Sequence, residues 1–118
     1  MARIFAVSDI HTDHQDNMEW CARLAGTSEF FQDTLILAGD VTSNPEVMRK
    51  TLMTLAAAFK TVFFCPGNHD LWIREPRATA TGDSLSKLEW LLDLCDEVGV
   101  LTRPALSAGA IVAPYLDL

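Results

Sequence analysis

The sequence predicts an α/β fold in which strands alternate with helices around a mainly parallel sheet. Short apolar runs of strand length recur along the chain, and stretches with apolar residues at helical spacing separate them. Glycine and proline residues mark the ends of several of these stretches. The predicted order is β-α-β-α-β-α-β-β, and 118 residues suffice for one domain with a single core.

The first part of the chain predicts a strand, a helix and a second strand. The first strand covers residues 3–7 and reads Arg-Ile-Phe-Ala-Val. A helix follows at about residues 16–25, and Gly26 is a typical stop for it. The second strand, Thr34–Ala38, is a continuous run of mostly apolar residues. The helical spacing predicts a buried face made of Met18, Cys21, Ala22 and Ala25.

The second helix has clear start signals. Asn44 is a typical N-cap, Pro45 suits the first helical position, and Glu46 favours the positive end of the helix dipole. The third strand is Thr61–Cys65, and a Pro-Gly pair ends it. The predicted apolar face of this second helix consists of Leu52, Leu55, Ala56 and Phe59.

The last part of the chain predicts a third helix and two short strands. A loop through residues 79–82 leads to a helix that Asp83 or Ser84 caps and that Gly99 ends. The predicted apolar face of the helix consists of Leu85, Leu88, Leu92 and Cys95. The two strands are predicted at residues 100–102 and 110–113.

The composition is that of a soluble globular domain, with 49% hydrophobic and 21% charged residues. No apolar run approaches the length of a membrane span, and the N-terminus has no secretory signal pattern. The net charge is −7 and no basic stripe is present, which argues against nucleic-acid binding. Three widely spaced cysteines indicate buried thiols in a reducing compartment, so a cytoplasmic location is expected.

Three groups of polar residues directly follow the first three predicted strands. In a parallel sheet the carboxyl ends of the strands lie at one edge, and ligands collect there. We therefore expect the three groups to meet at that edge. They are Asp9 and His11 after the first strand, Asp40 after the second, and Asn68, His69 and Asp70 after the third.

These residue types predict a site for two divalent metal ions. Aspartate and histidine are ligands for manganese, iron(II) and zinc. Asp9 and His11 are two positions apart at a strand end, where both can reach one ion. Asp40 has two carboxylate oxygens and can bridge two ions about 3.5–4 Å apart. Asn68 offers an amide oxygen to the second ion.

His69 and Asp70 are the candidate catalytic residues. His69 follows a predicted ligand and precedes an acidic residue. The Asp70 carboxylate can fix the tautomer of the imidazole and keep it protonated. A protonated His69 can bind a phosphoryl oxygen or donate a proton to a leaving group.

Each short motif is a weak signal when it is taken alone. Asp40 or Asn68 by itself is better explained as a turn residue. Three such groups in order, each at a strand end, favour the metal site. The alternative is another doubly wound domain, such as a receiver or a nucleotide binder, but no Gly-x-Gly-x-x-Gly or Gly-Lys-Ser/Thr motif is present. Loop or packing positions better explain the nearby His14, Trp72, Arg74 and Arg77.

The motifs Asp9-Ile-His11, Gly39-Asp40 and Gly67-Asn68-His69-Asp70 resemble the first three signature blocks of the calcineurin-like metallophosphoesterase family. The resemblance implies a four-layer αββα sandwich that hydrolyses phosphoric mono- or diesters through a metal-bound hydroxide. It implies that Asp9 and His11 hold the first ion, that Asp40 bridges, and that Asn68 holds the second ion. It also implies that His69 contacts the phosphate.

The later histidine-rich blocks of that family have no counterpart, because the three histidines are His11, His14 and His69. We therefore expect residues 1–118 to form the N-terminal half of the domain, with weak metal affinity. One apolar sheet face is then uncovered and favours self-association. The expected substrate is a small-molecule or protein phosphoester. The alternative is a truncated, inactive form that acts as a weak metal-binding or interaction module.

Overall fold

The computed structural model describes residues 2–71 and 84–114, so the loop predicted at 79–82 and the cap predicted at Asp83 lie outside the described residues. The predicted α/β class is confirmed, with a parallel sheet and three helices, and the first six predicted elements occur in the expected order. The elements are β1 (Ile4–Val7), α1 (Gln15–Ala25), β2 (Thr34–Ala38), α2 (Pro45–Ala58), β3 (Thr61–Cys65), α3 (Ser84–Val98), β4 (Ala105–Ser107) and β5 (Ala110–Val112).

The three first strands form a parallel sheet in the order β1-β2-β3. Ile4 pairs with Thr34, and Thr34 pairs with Thr61, so the strands start level with one another. The carboxyl ends of all three strands consequently lie at one edge. This edge is where the polar groups of the sequence were expected to meet.

One face of the sheet packs against the helices and forms the main core. Leu37 of β2 and Phe64 of β3 are fully buried there, together with Leu52 and Leu55 of α2. The start of α2 is as predicted, because the Asn44 side chain accepts hydrogen bonds from the backbone N–H groups of two residues in the first turn. Its predicted apolar face is confirmed.

The predicted buried faces of α1 and α3 were partly wrong. In α1, Ala22 is exposed, while Trp20 and Leu24 pack against the core. In α3, Leu85 is 67% exposed, whereas Leu91 and Leu94 are buried. Both helices carry apolar residues on two neighbouring stripes, and helical spacing alone does not distinguish the stripe that faces a partner.

The strand predicted at residues 100–102 is reduced to a single bridge. Leu101 pairs with Phe63 in parallel, through its N–H to the Val62 carbonyl (2.8 Å) and its carbonyl to the Phe64 N–H (2.9 Å). The sequence prediction missed β4, which forms a hairpin with β5 through Ala108 and Gly109. Both loop residues have positive φ (50° and 80°), as a tight two-residue hairpin loop requires.

This hairpin lies beside the second face of the parallel sheet. Thr34 Oγ1 and Ser107 Oγ share a hydrogen bond of 2.6 Å. Phe63 is fully buried on this side, but Ile4 remains 40% exposed. A groove of about 380 Å³ separates the sheet from β5 and is lined by residues that include Ile36, Cys65 and Ile111. The second face is therefore only partly covered.

A buried carboxylate ties the amino ends of the strands together. Asp33 is 2% exposed and accepts hydrogen bonds from the Arg3 backbone N–H (2.8 Å) and guanidinium (2.7 Å). Its carbonyl accepts from the N–H groups of Lys60 and Thr61. This end of the sheet is opposite the edge that carries the predicted site.

Candidate functional site

Three of the predicted metal ligands have an unusual backbone conformation. Asp9, His11 and Asp40 have φ angles of 56°, 41° and 56°. Within the described residues, Ala108 in the hairpin loop is the one other non-glycine residue with positive φ. Such residues cost roughly 1–3 kcal/mol each and persist where the surrounding structure enforces them, often at functional sites.

Backbone hydrogen bonds continue from the sheet into the loops that follow β1 and β2. The Asp9 N–H donates to the Gly39 carbonyl (3.1 Å), and the His11 N–H donates to the Asp40 carbonyl (3.3 Å). The Thr12 N–H donates to the Val41 carbonyl at 2.9 Å. The first two polar groups are therefore held at a fixed relative position.

The loops after β2 and β3 touch through their glycines. A Cβ atom on Gly39 would lie 2.9 Å from the Gly67 Cα. A Cβ atom on Gly67 would lie 2.5 Å from Asp40 Oδ1 and 2.7 Å from the Asp40 backbone nitrogen. Both contacts are too close for a side chain, so glycine at these positions permits the second and third groups to meet.

His69 contacts the carboxylate of Asp40. The His69 backbone N–H donates to Asp40 Oδ1 at 3.0 Å, and the ring Nδ1 lies 3.2 Å from the same oxygen. Burial raises the pKa of Asp40, but the hydrogen bonds from His69 outweigh this and hold the pKa below its usual range. The rings of His11 and His69 meet edge to face, with centroids 5.7 Å apart.

The first pair of predicted ligands is also close together. His11 Nε2 lies 3.9 Å from Asp9 Oδ1. Asn68 lies at the same edge with an exposed side chain. His14 is exposed at the start of α1, as interpreted from the sequence, and Trp72, Arg74 and Arg77 lie outside the described residues.

Asp70 occupies a different place from the one its predicted role requires. Its side chain is fully buried and accepts hydrogen bonds from the backbone N–H groups of Asp40, Val41, Thr42 and Gly67, at 2.7, 2.7, 3.0 and 2.7 Å. Burial raises its pKa, although these N–H groups act in the opposite direction. The carboxylate that meets the His69 ring is that of Asp40, whereas the sequence prediction gave this place to Asp70.

Several supporting residues were not identified from the sequence. Thr42 Oγ1 donates to Asp13 Oδ1 at 2.6 Å and also accepts from the Asn44 N–H. The Thr51 hydroxyl donates to the buried Thr12 hydroxyl at 2.8 Å, which joins α2 to the loop after β1. Their only sequence signal is their position beside the motifs, which short hydroxyl side chains share with many ordinary turns.

The donor atoms suit a divalent ion in their chemistry. Asp9 and Asp40 bring carboxylates to this edge and His11 and His69 bring imidazoles, and both donor types bind ions such as manganese, iron and zinc. Across residues 2–71 and 84–114, no group of three or more His, Cys, Asp or Glu side chains is gathered to hold an ion. The donors form pairs, and these pairs fit one wall of a metal site.

A parallel α/β sheet with these polar groups at its carboxyl edge defines the class of protein as an α/β domain with a candidate ligand site beyond the ends of its strands. The profile of the calcineurin-like phosphoesterases matches residues 2–111. The chain belongs to this family, which rules out the alternative of a receiver or nucleotide-binding domain.

A curated relative has a phosphodiesterase activity in its name. The chain is 36% identical over 101 residues to the acyl-carrier-protein phosphodiesterase PptH of Mycobacterium tuberculosis. The aligned region covers 84% of this chain and 30% of that protein. The crystal structure of phosphopantetheinyl hydrolase (PptH) from the same organism matches with a TM-score of 0.71 and 30% identity. That match covers 96% of this chain and 42% of the solved chain, so the chain spans less than half of either relative.

Proposed function

We propose that the protein hydrolyses a phosphodiester at a site for two divalent metal ions. The observation that supports this most directly is the conformation of Asp9, His11 and Asp40, which all have positive φ at the carboxyl edge of one sheet. The hydrogen bonds between the loops maintain this arrangement. A cost of this kind at three predicted ligands is expected where function, rather than stability, has selected the conformation.

The metal ions are proposed to be held by four residues. Asp9 and His11 bind the first ion, Asp40 bridges both ions, and Asn68 binds the second. Manganese, iron or zinc fits the oxygen and nitrogen donors. When bound, the ions neutralise charge on the phosphoryl group and lower the pKa of water.

His69 is proposed to act on the leaving group. The Asp40 carboxylate lies 3.2 Å from Nδ1 and orients the ring, and Nε2 is the nitrogen proposed to donate a proton. A water oxygen bonds to phosphorus and loses one proton to the solvent, and the bond from phosphorus to the leaving oxygen breaks. The Nε2 proton passes to that leaving oxygen, and His69 then regains a proton from the solvent. The products are a phosphomonoester and an alcohol. General acid catalysis of this kind contributes about 10²–10⁴-fold.

A phosphopantetheinylated carrier protein is the proposed substrate. The relative named above is an acyl-carrier-protein phosphodiesterase, and its sequence identity with this chain is 36%. The linkage in such a substrate is a phosphodiester, which favours diester over monoester hydrolysis. A cytoplasmic location is proposed with it, because free cysteines are typical of proteins in a reducing compartment.

The test measures turnover by the purified chain with and without added manganese. The substrates are bis(p-nitrophenyl) phosphate, p-nitrophenyl phosphate and a holo-carrier protein, and the unmodified carrier protein is the control. We expect manganese-dependent cleavage of the two diesters and little cleavage of the monoester. Absence of turnover together with absence of bound manganese would reject the proposal.

A non-catalytic interaction module is the second candidate function. It is supported by the exposed side chains of Leu106 (74%) and Ile111 (79%), which pair across the hairpin beside the apolar groove. Apolar residues clustered in this way favour association with another surface. Under this proposal the chain associates with a second copy through the incompletely covered sheet face.

A further inference from the structure

We propose that Asp70 is a positioning residue, whose buried carboxylate sets the backbone of Asp40 before any metal binds. This inference rests on the proposed function, because it assigns Asp40 to the metal site. The sequence alone predicted that Asp70 acts directly on the His69 ring. Its inferred role is instead indirect, through its hydrogen bond to the backbone of Asp40.

Each oxygen of the carboxylate accepts two hydrogen bonds, and the four donors lie in two loops, three after β2 and one after β3. Oδ1 accepts from the N–H groups of Val41 and Thr42, and Oδ2 accepts from those of Asp40 and Gly67. Three successive N–H groups thus converge on one carboxylate, in the manner of an anion-binding nest. The anion in this nest belongs to the protein itself.

The loop after β2, which Asp70 binds, has an unfavourable backbone conformation and should relax when the Asp70 carboxylate is removed. Asp40 has a φ of 56° and follows Gly39 with a φ of 82°. Positive φ is unfavourable for a residue with a side chain, so tertiary contacts must maintain it. The hydrogen bond from the Asp40 N–H to Asp70, at 2.7 Å, acts on this very residue.

The same carboxylate fixes the distance between the loops after β2 and β3. The Gly67 N–H donates to Oδ2, beside the N–H of Asp40. His69 follows Gly67 by two positions and contacts Asp40 Oδ1. One buried group therefore sets both the predicted bridging ligand and the histidine next to it, and it does so without exposure to a substrate.

The decisive variant is Asp70→Asn. Its side-chain NH2 group replaces one carboxylate oxygen, and an NH2 group cannot accept hydrogen bonds from the two backbone N–H groups that this oxygen accepted. At least two of the four hydrogen bonds are lost while the shape is kept. The matched control is Asp33→Asn, which removes a second buried carboxylate that also binds a backbone N–H, at the opposite end of the sheet.

Manganese affinity is measured by calorimetry for the full chain and both variants, with circular dichroism to confirm folding. We expect Asp70→Asn to weaken manganese binding about 10- to 100-fold, as loss of a group that supports a ligand does. Asp33→Asn should lower stability and leave manganese affinity within about twofold of wild type, because it lies far from the ligands. Equal manganese affinity in Asp70→Asn and wild type overturns the inference.

Amide hydrogen exchange gives a readout that does not depend on metal. In metal-free wild type the N–H groups of Asp40, Val41, Thr42 and Gly67 should already exchange slowly, with less than about a twofold gain when manganese is added. Asp70→Asn should speed up exchange of these four N–H groups and leave the exchange of the β2 N–H groups unchanged. If the four amides of wild type become protected only with manganese, the loop is not preset and the inference fails, even where the variant does not fold. If wild type binds no manganese, the proposed function fails, and the exchange data still decide the role of Asp70.

Discussion

One oxygen of Asp40 meets two groups of His69: Oδ1 lies 3.0 Å from the His69 backbone nitrogen and 3.2 Å from ring Nδ1. The carboxylate that is proposed to bridge the ions therefore also orients the proposed acid. Because the two residues are proposed to have different chemical roles, substitution of each should affect metal binding and turnover differently.

Replacement of the bridging ligand should remove metal. We predict that Asp40→Asn lowers manganese affinity by at least about 100-fold, since even a group that only supports a ligand accounts for 10- to 100-fold. Metal content is measured by atomic absorption after equilibrium dialysis against manganese. Asp16→Asn, an exposed carboxylate in α1, is the control and should keep the wild-type content. Unchanged metal content in Asp40→Asn would contradict the bridging role.

Replacement of the histidine should affect turnover and spare the metal. We predict that His69→Gln keeps manganese affinity within about twofold and lowers kcat on bis(p-nitrophenyl) phosphate by about 10²–10⁴-fold, the typical contribution of a general acid. His14→Gln, at an exposed histidine, should behave as wild type. A parallel loss of metal in His69→Gln would show that His69 is a ligand instead.

Contact between the loops after β2 and β3 requires glycine at residue 67. We predict that Gly67→Ala lowers the free energy of unfolding by about 1–3 kcal/mol, because its Cβ must displace the Asp40 backbone. Gly26→Ala is the matched control, since the nearest atom to its Cβ would be 3.5 Å away. Urea denaturation measures both variants. Equal midpoints for the two would mean that the loops can separate without cost.

The sequence was sufficient for the parallel sheet and for the meeting of the polar groups at one edge, for a clear physical reason. Asp9, Asp40 and Asn68 directly follow strands, and parallel strands bring whatever follows them to one edge. The start of α2 was equally predictable, because the Asn44 cap acts on N–H groups only two and three residues away.

Features that depend on distant contacts were not predictable. Leu85 and Leu91 are equally good residues for a buried helix face, and only packing in three dimensions distinguishes them. Asp70 was predicted to act on its neighbour, His69, but its carboxylate binds N–H groups up to 30 residues away. A buried carboxylate can bind any converging set of donors, and sequence proximity gives no information about which.

The ion pair between Arg3 and Asp33 should make stability depend on acidity. The hydrogen bond from Arg3 holds the pKa of Asp33 below its usual range. A lowered pKa means that the stabilisation is fully present above the unfolded-state pKa of about 3.9 and is lost as the pH falls through the lower folded-state value. We predict that, as the pH is lowered through this range, the urea midpoint of the wild type decreases more steeply than that of Asp33→Asn. Glu97→Gln, which breaks an exposed pair with Arg49, should change the profile little.

The hairpin should promote self-association. We predict that sedimentation of the wild-type chain shows dimers or larger species at micromolar concentration, and that Leu106→Asp with Ile111→Asp shifts the distribution to monomer. Leu85→Asp is the matched control, because Leu85 is 67% exposed but lies on α3, whereas the other two are 74% and 79% exposed beside the groove. A charge at either place raises solubility equally, so only an effect specific to the hairpin identifies the interface. A clean wild-type monomer would show that the partly covered face is stable in water.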